Sequence, residues 1–161
     1  MISPETLRRY PYFARVSDSL LKEIAMLSQE GTFRKGERLF LASDASSEAG
    51  GLIRKASPAE SLMVLLDGEV DLVYSLAGNR EVVVDTLVSG DLLGVASMVE
   101  PFEHTSTAIA RRDGKFIRIE AAGLRGLCSQ EPSLGFALMS QVARVLQASL
   151  QNARVQLAAQ D

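Results

Sequence analysis

Between Thr32 and Glu120 the apolar residues never run for long. They fall into brief stretches, LFLA at 39–42, SLMVLL at 61–66, VDLVY at 70–74, EVVVDTLV at 81–88, TAIA at 107–110 and KFIRI at 115–119. Turn-forming residues stand between them: Gly36, Gly68, Gly78-Asn79, Gly90 and Asp113-Gly114. Stretches this short, so closely punctuated, cannot build helices of useful length but match antiparallel strands joined by tight connections. The spacing predicts a β-sandwich or jelly roll. The segment ASDASSEAGG, 42–51, is small, polar and glycine-rich and reads as a poorly ordered surface excursion.

The flanks follow another period. Leu20, Leu21, Ile24, Ala25 and Leu27 recur at helical spacing after Ser17, a suitable N-cap, with Gly31 as the expected stop. Pro132 suits the first turn of a helix that meets no Pro or Gly after Gly135. Along it Met139, Val142, Leu146, Leu150, Ala153 and Leu157 follow steps of three and four, near a coiled-coil seam, while Leu138 and Val145 lie off it. Two stripes call for two partners, the β-structure and the same helix of a second chain; a single wide face lying flat on its own domain is the competing expectation. The chain thus divides into N-terminal helices (1–31), a β-roll (32–120) and C-terminal helices (121–161), in a single α+β, mainly β domain spanning 1–161.

Composition narrows the function. Seventeen basic against twenty acidic residues give a net charge of -3, which argues against a broad basic surface for nucleic acid. One cysteine, Cys128, allows no internal disulfide, and it reads as a core residue. No apolar stretch approaches the roughly 18 residues of a membrane span, so a cytoplasmic protein without a membrane partner is expected. A single His and a single Cys make no zinc site, and no hydrolase, Walker or dinucleotide motif is present, so neither a metal nor an enzyme is expected. Arg8-Arg9 and Arg111-Arg112 read as solvated surface.

The stretch GDLLGVASMVEPFEHTSTAIA, 90–110, opens like a loop built to hold an anion: Gly90 and Gly94 bracket a turn leading into a short helix. No Arg or Lys lies within it. In the order of its parts the chain resembles the cyclic nucleotide-binding domain family of the catabolite activator protein type. LRRYPYFARVSDSLLKEIAMLSQEGTFRKGERLF is similar to that family's N-terminal helices and first strand, and SPAESLMVLLDGEVDLVYSLAGNREVVVDTLVSGDLLG to its central strands, with glycines in place at 36, 68, 90 and 94. The resemblance implies an eight-stranded antiparallel β-roll or jelly roll with N-terminal helices and a long C-terminal helix.

It also implies a phosphate-binding cassette that starts at Gly90-Asp91, continues through Gly94, and turns at Ala96, Ser97 and Met98. Where the family places a Glu for the ribose hydroxyl stands Val95. The family's phosphate-pairing Arg falls at His104, or at Thr105 without a gap; His104 is preferred because it sets Ala108 and Phe116 on apolar strand positions. Ala56-Ser57 replace a Gly-Asp pair ahead of Pro58.

A buried Arg gives phosphate a bidentate, permanently charged contact that an imidazole or hydroxyl does not replace. Each charge-assisted bond lost costs about 1.5–3 kcal/mol, so losing both weakens binding on the order of a hundredfold or more. Cyclic nucleotide binding is therefore disfavoured and no cofactor is expected. What remains is a degenerate pocket of Gly94, Val95, Ala96, Ser97, His104, Thr105 and Ser106, with free N–H groups expected at Ala96 and Ser97 and a cationic His104 below about pH 6.5. The residues leave open that the loop is only a turn the roll needs and that His104 is solvated. The expected function is a non-enzymatic regulatory or ligand-sensing module acting through homodimer or protein contacts, with no nucleic acid bound by this chain alone. A true cyclic nucleotide or cyclic dinucleotide receptor with altered contacts, and the sensor half of a Crp/Fnr-type transcription regulator, are the alternatives.

Overall fold

The computed structural model describes residues 2–42, 58–76 and 80–159. The expected excursion at 42–51, Ala42 apart, lies outside them, as do Ala56-Ser57 and the turn at Gly78-Asn79.

Two helices open the chain, α1 (Pro4–Arg8) and α2 (Asp18–Met26). Ser17 caps α2 by accepting a hydrogen bond from the Leu20 N–H at 3.3 Å. Arg8 is a clamp rather than solvated surface: it donates to the Ala14 and Val16 carbonyls and pairs with Asp18, tying α1 to the start of α2. The helix ends at Met26, and Gly31 is not its stop. Gly31 lies within β1 (Ser28–Phe33) opposite Phe116, where a Cβ would come 2.6 Å from the ring. A long-range ring contact, absent from any local signal, selects the glycine.

The remaining strands are β2 (Arg38–Phe40), β3 (Ser61–Leu76), β4 (Arg80–Leu87), β5 (Leu92–Leu93) and β6 (Thr107–Glu120). They form one antiparallel sheet ordered β1-β6-β3-β4, with β2 added to β6 and β5 to β3. Six strands are described where eight were expected, in part because the stretches at 61–66 and 70–74 are one strand, as are those at 107–110 and 115–119. No hairpin forms at Gly68 or Asp113-Gly114. Instead β3 and β6 run side by side from Ser61↔Glu120 to Val73↔Thr107, and their register slips between Leu65 and Val70. There a Cβ on Gly68 would sit 2.7 Å from the Asp113 carbonyl oxygen, and one on Gly114 2.1 Å from that of Asp67. The facing glycines let two backbones close on each other, so the strands bend together and curl the sheet instead of reversing.

Two apolar clusters result. Phe33, Phe40, Leu65, Val70, Leu72, Val84 and Leu93 fill the inside of the roll. Leu7, Phe13, Leu21, Ile24, Leu62, Ile119 and Leu124 form a second core with α3 (Ala121–Gln130) and α4 (Pro132–Ala159). α4 places Leu134, Leu138 and Val142 in that core. Val142 is only 1% exposed, so it offers no surface to another chain, and its place on the outer seam passes to Ala143. The outer line then reads Phe136, Met139, Ala143, Leu146, Leu150, Ala153 and Leu157, in regular steps of three and four, with Ala153 half-buried and the rest exposed.

Candidate functional site

The candidate site lies where the loop after β5 meets the inside of the roll and the underside of α4. Gly94 starts it in the left-handed region, with φ of 68°. A Cβ there would lie 2.7 Å from the Ser61 carbonyl oxygen and 3.2 Å from the Met63 side chain, so both conformation and space require glycine. Val95–Met98 follow as a short 3-10 helix.

His104 is buried, 3% exposed, not solvated. Its ring stacks on Phe40, centroids 3.9 Å apart and planes 11° from parallel. Cε1 lies 3.8 Å from where a Cβ on Gly94 would stand. Burial lowers its pKa from 6.5, and a hydrogen bond to the Pro58 carbonyl opposes that only in part. The imidazole is therefore neutral at pH 7, and the cation expected at this position is suppressed by its surroundings.

Gly94, Val95, Ala96, His104, Thr105 and Ser106 share the wall of one cavity of about 40 Å³. Ser97 does not. It is fully buried, and both its Oγ and its N–H donate to the Gly94 carbonyl, at 2.7 and 3.0 Å. The free anion donor expected at Ser97 is thus consumed by the turn itself. Thr107 is also structural, its hydroxyl accepting the Ala42 N–H at 3.0 Å. Thr105 remains exposed and Ser106 half-buried.

Several lining residues carry no local signal. Phe40, Leu72, Tyr74, Val84, Leu92 and Leu93 come from the roll, and Val145, Leu146 and Ser149 close the cavity from α4. Ser149, a buried hydroxyl one turn beyond Val145, is the one the sequence could have flagged, as a polar break in an apolar stripe. Among the described residues, the lining holds no Lys, Arg, Asp or Glu. Arg125 of α3 donates to the Ser97 carbonyl and lies 4.1 Å over the Phe102 ring, holding the 3-10 helix and the following loop to α3. Cys128 is half-buried, and burial pushes its thiol pKa up, away from nucleophilic use. No cluster of three or more His, Cys, Asp or Glu that could hold a metal exists among the described residues. No helix among them is long and apolar enough to cross a membrane.

A curled antiparallel roll, a glycine-led turn with its 3-10 helix, and a long helix packed over that turn together define a regulatory ligand-binding fold. Residues 51–131 match the family model for the cyclic nucleotide-binding domain, and the chain belongs to that family. Among solved structures it is similar to a candidate cyclic nucleotide-binding protein from Geobacter metallireducens, at 36% identity over 93% of this chain and 99% of that one, with a TM-score of 0.73. The N-terminal domain of a transcriptional regulator from Streptomyces coelicolor matches at 27% identity, covering 88% of this chain and 91% of that one, with a TM-score of 0.62. The sensor domain of the regulator DNR from Pseudomonas aeruginosa shares the fold at 17% identity, covering 91% of this chain and 90% of that one, with a TM-score of 0.70. A search of curated proteins returned no match. The fold of this chain is similar to that of domains from transcriptional regulators.

Proposed function

We propose that this chain is a non-enzymatic sensor module of the cytoplasm whose cassette is not equipped for a standard cyclic nucleotide and whose output is the packing of α4. One observation carries the reading: the described residues that line the cavity led by Gly94 include no Lys, Arg, Asp or Glu, and α4 residues close it. A cyclic phosphate brought there would give up its hydration without gaining a cation, at a cost that a neutral imidazole does not offset. The 3-10 helix spends the Ser97 N–H on its own turn. The exposed outer line of α4 is the surface for a second copy of this chain, since an apolar repeat in steps of three and four is the pattern by which parallel helices pair. Cargo at the cavity and a partner helix would act on opposite faces of the same element.

Calorimetric titration with cyclic AMP, cyclic GMP and cyclic dinucleotides tests the reading. The natural chain is expected to give no binding at micromolar concentrations, whereas a Val95→Glu, His104→Arg double variant, which restores an acceptor for the sugar and a cation for the phosphate, gains affinity. Micromolar binding by the natural chain would overturn the proposal.

A second reading rests on the relatives. The Streptomyces coelicolor and Pseudomonas aeruginosa matches are an N-terminal domain and a sensor domain of transcriptional regulators. In that reading this chain is the sensing half of such a regulator, and nucleic acid is contacted elsewhere. Electrophoretic mobility assays with the isolated chain are expected to show no DNA shift under either reading, and sequencing of the surrounding reading frame separates the two.

A further inference from the structure

The chemistry of the cavity walls also bears on what kind of molecule would fit there. We propose that it is a site for a small uncharged molecule with an apolar body and a neutral hydrogen-bonding group, for which a phenol and an indole serve as probes, and that such a molecule enters by lifting α4 from the roll. The proposal rests on the reading that this cassette is no anion cradle.

Charge is decided by the walls. With no Lys, Arg, Asp or Glu among the described lining residues, an ion of either sign would be desolvated without a partner from them. An apolar body loses nothing there, because Leu72, Val84, Leu93 and Val145 supply the contacts it would lose in water. The polar side chains are uncharged hydroxyls and one imidazole: Tyr74, His104, Thr105 and Ser106 on the side of the roll and its loop, and Ser149 on the helix. A hydroxyl or ring N–H on the ligand meets one of them without any charge being brought in.

Size then decides the coupling. A benzene-sized guest needs roughly 150 Å³ of apolar cavity, and about 40 Å³ is present. The extra volume must come from whichever wall yields. β3 and β4 are laced together from Val70↔Leu87 to Leu76↔Arg80, so parting them would break ladder hydrogen bonds. α4 meets the cavity through the side chains of Val145, Leu146 and Ser149, which can shift without breaking a backbone bond. Leu146 lies on both the cavity wall and the outer seam, at 43% exposure, so lifting α4 also displaces the surface offered to a partner chain.

The test is a methyl NMR titration of the full chain with phenol and with indole, alongside cyclic AMP and inorganic phosphate at matched concentrations, with self-association followed by sedimentation. Saturable shifts at the Leu92, Leu93, Val145 and Leu146 methyls by the neutral probes are expected, with self-association changed by about fivefold or more. Shifts that do not saturate, or that scatter over the surface, overturn the ligand class while leaving the regulatory reading intact. Saturation by cyclic AMP at the same methyls overturns both. Saturable binding by phenol or indole with unchanged self-association overturns the lifting of α4. Ser149→Leu, which fills the cavity from the helix, should lower probe affinity at least about tenfold; should that variant fail to fold, Val84→Phe fills it from the sheet.

Discussion

His104 shows how much a single residue's role depends on what surrounds it. As a letter in a polar loop it is a titrating group near pH 6.5; buried against Phe40 it is a neutral ring. The sign of the linkage follows from that. The unfolded chain takes up a proton as pH falls through about 6.5, and the folded chain only at lower pH, so between those values the unfolded state holds more protons. Stability contributed by this site is full above pH 6.5 and declines as pH drops through the folded value. Urea denaturation at a series of pH values is expected to show that decline, and His104→Phe to flatten it; an unchanged slope in the variant would contradict the burial argument. Gly94 makes the complementary case. Gly94→Ala meets both a positive φ and the Ser61 carbonyl, and should lower stability by about 1–3 kcal/mol in the same assay.

Among the elements, α4 presents two faces with different duties. Leu138 is fully buried in the core shared with α2 and α3, so Leu138→Ala should cost about 2–5 kcal/mol of folding stability. Leu150, 55% exposed on the outer line, should cost little when changed to Ala in dilute protein, yet weaken self-association measured by sedimentation. Should both variants lower stability equally and leave association alone, the outer face has no partner. The same helix marks the limit of periodicity. Steps of three and four identify a seam but not its rotation about the axis, since Val142 and Ala143 fit nearly the same spacing. Which of them faces inward is decided by tertiary packing, which buries Val142 in the core that α4 shares with α3. The long strands are a parallel lesson. Gly68 and Asp113-Gly114 look like turns in isolation, and they become paired bends because each glycine faces the other strand's backbone.

At the scale of the whole molecule, the cavity joins three pieces of chain far apart in sequence: Phe40 before the central strands, the Gly94 loop, and Val145 to Ser149 near the end. If the outer face of α4 binds a second copy, folding and association share one element, and the midpoint of thermal unfolding is expected to rise with protein concentration. A midpoint independent of concentration over two decades would mean that the chain works alone. The family, the change from strand-forming runs to a long terminal helix, the Ser17 cap and the absence of Arg and Lys from 90–110 were all legible in the residues, because each depends on local period, local capping or the plain identity of a side chain. The neutrality of His104, the loss of Ser97 to its own turn, the rotation of α4 and the roof it puts over the cavity were decided by the tertiary structure. Burial, stacking and the direction in which a helix face points are set by partners dozens of residues away, and no local pattern in a sequence carries them.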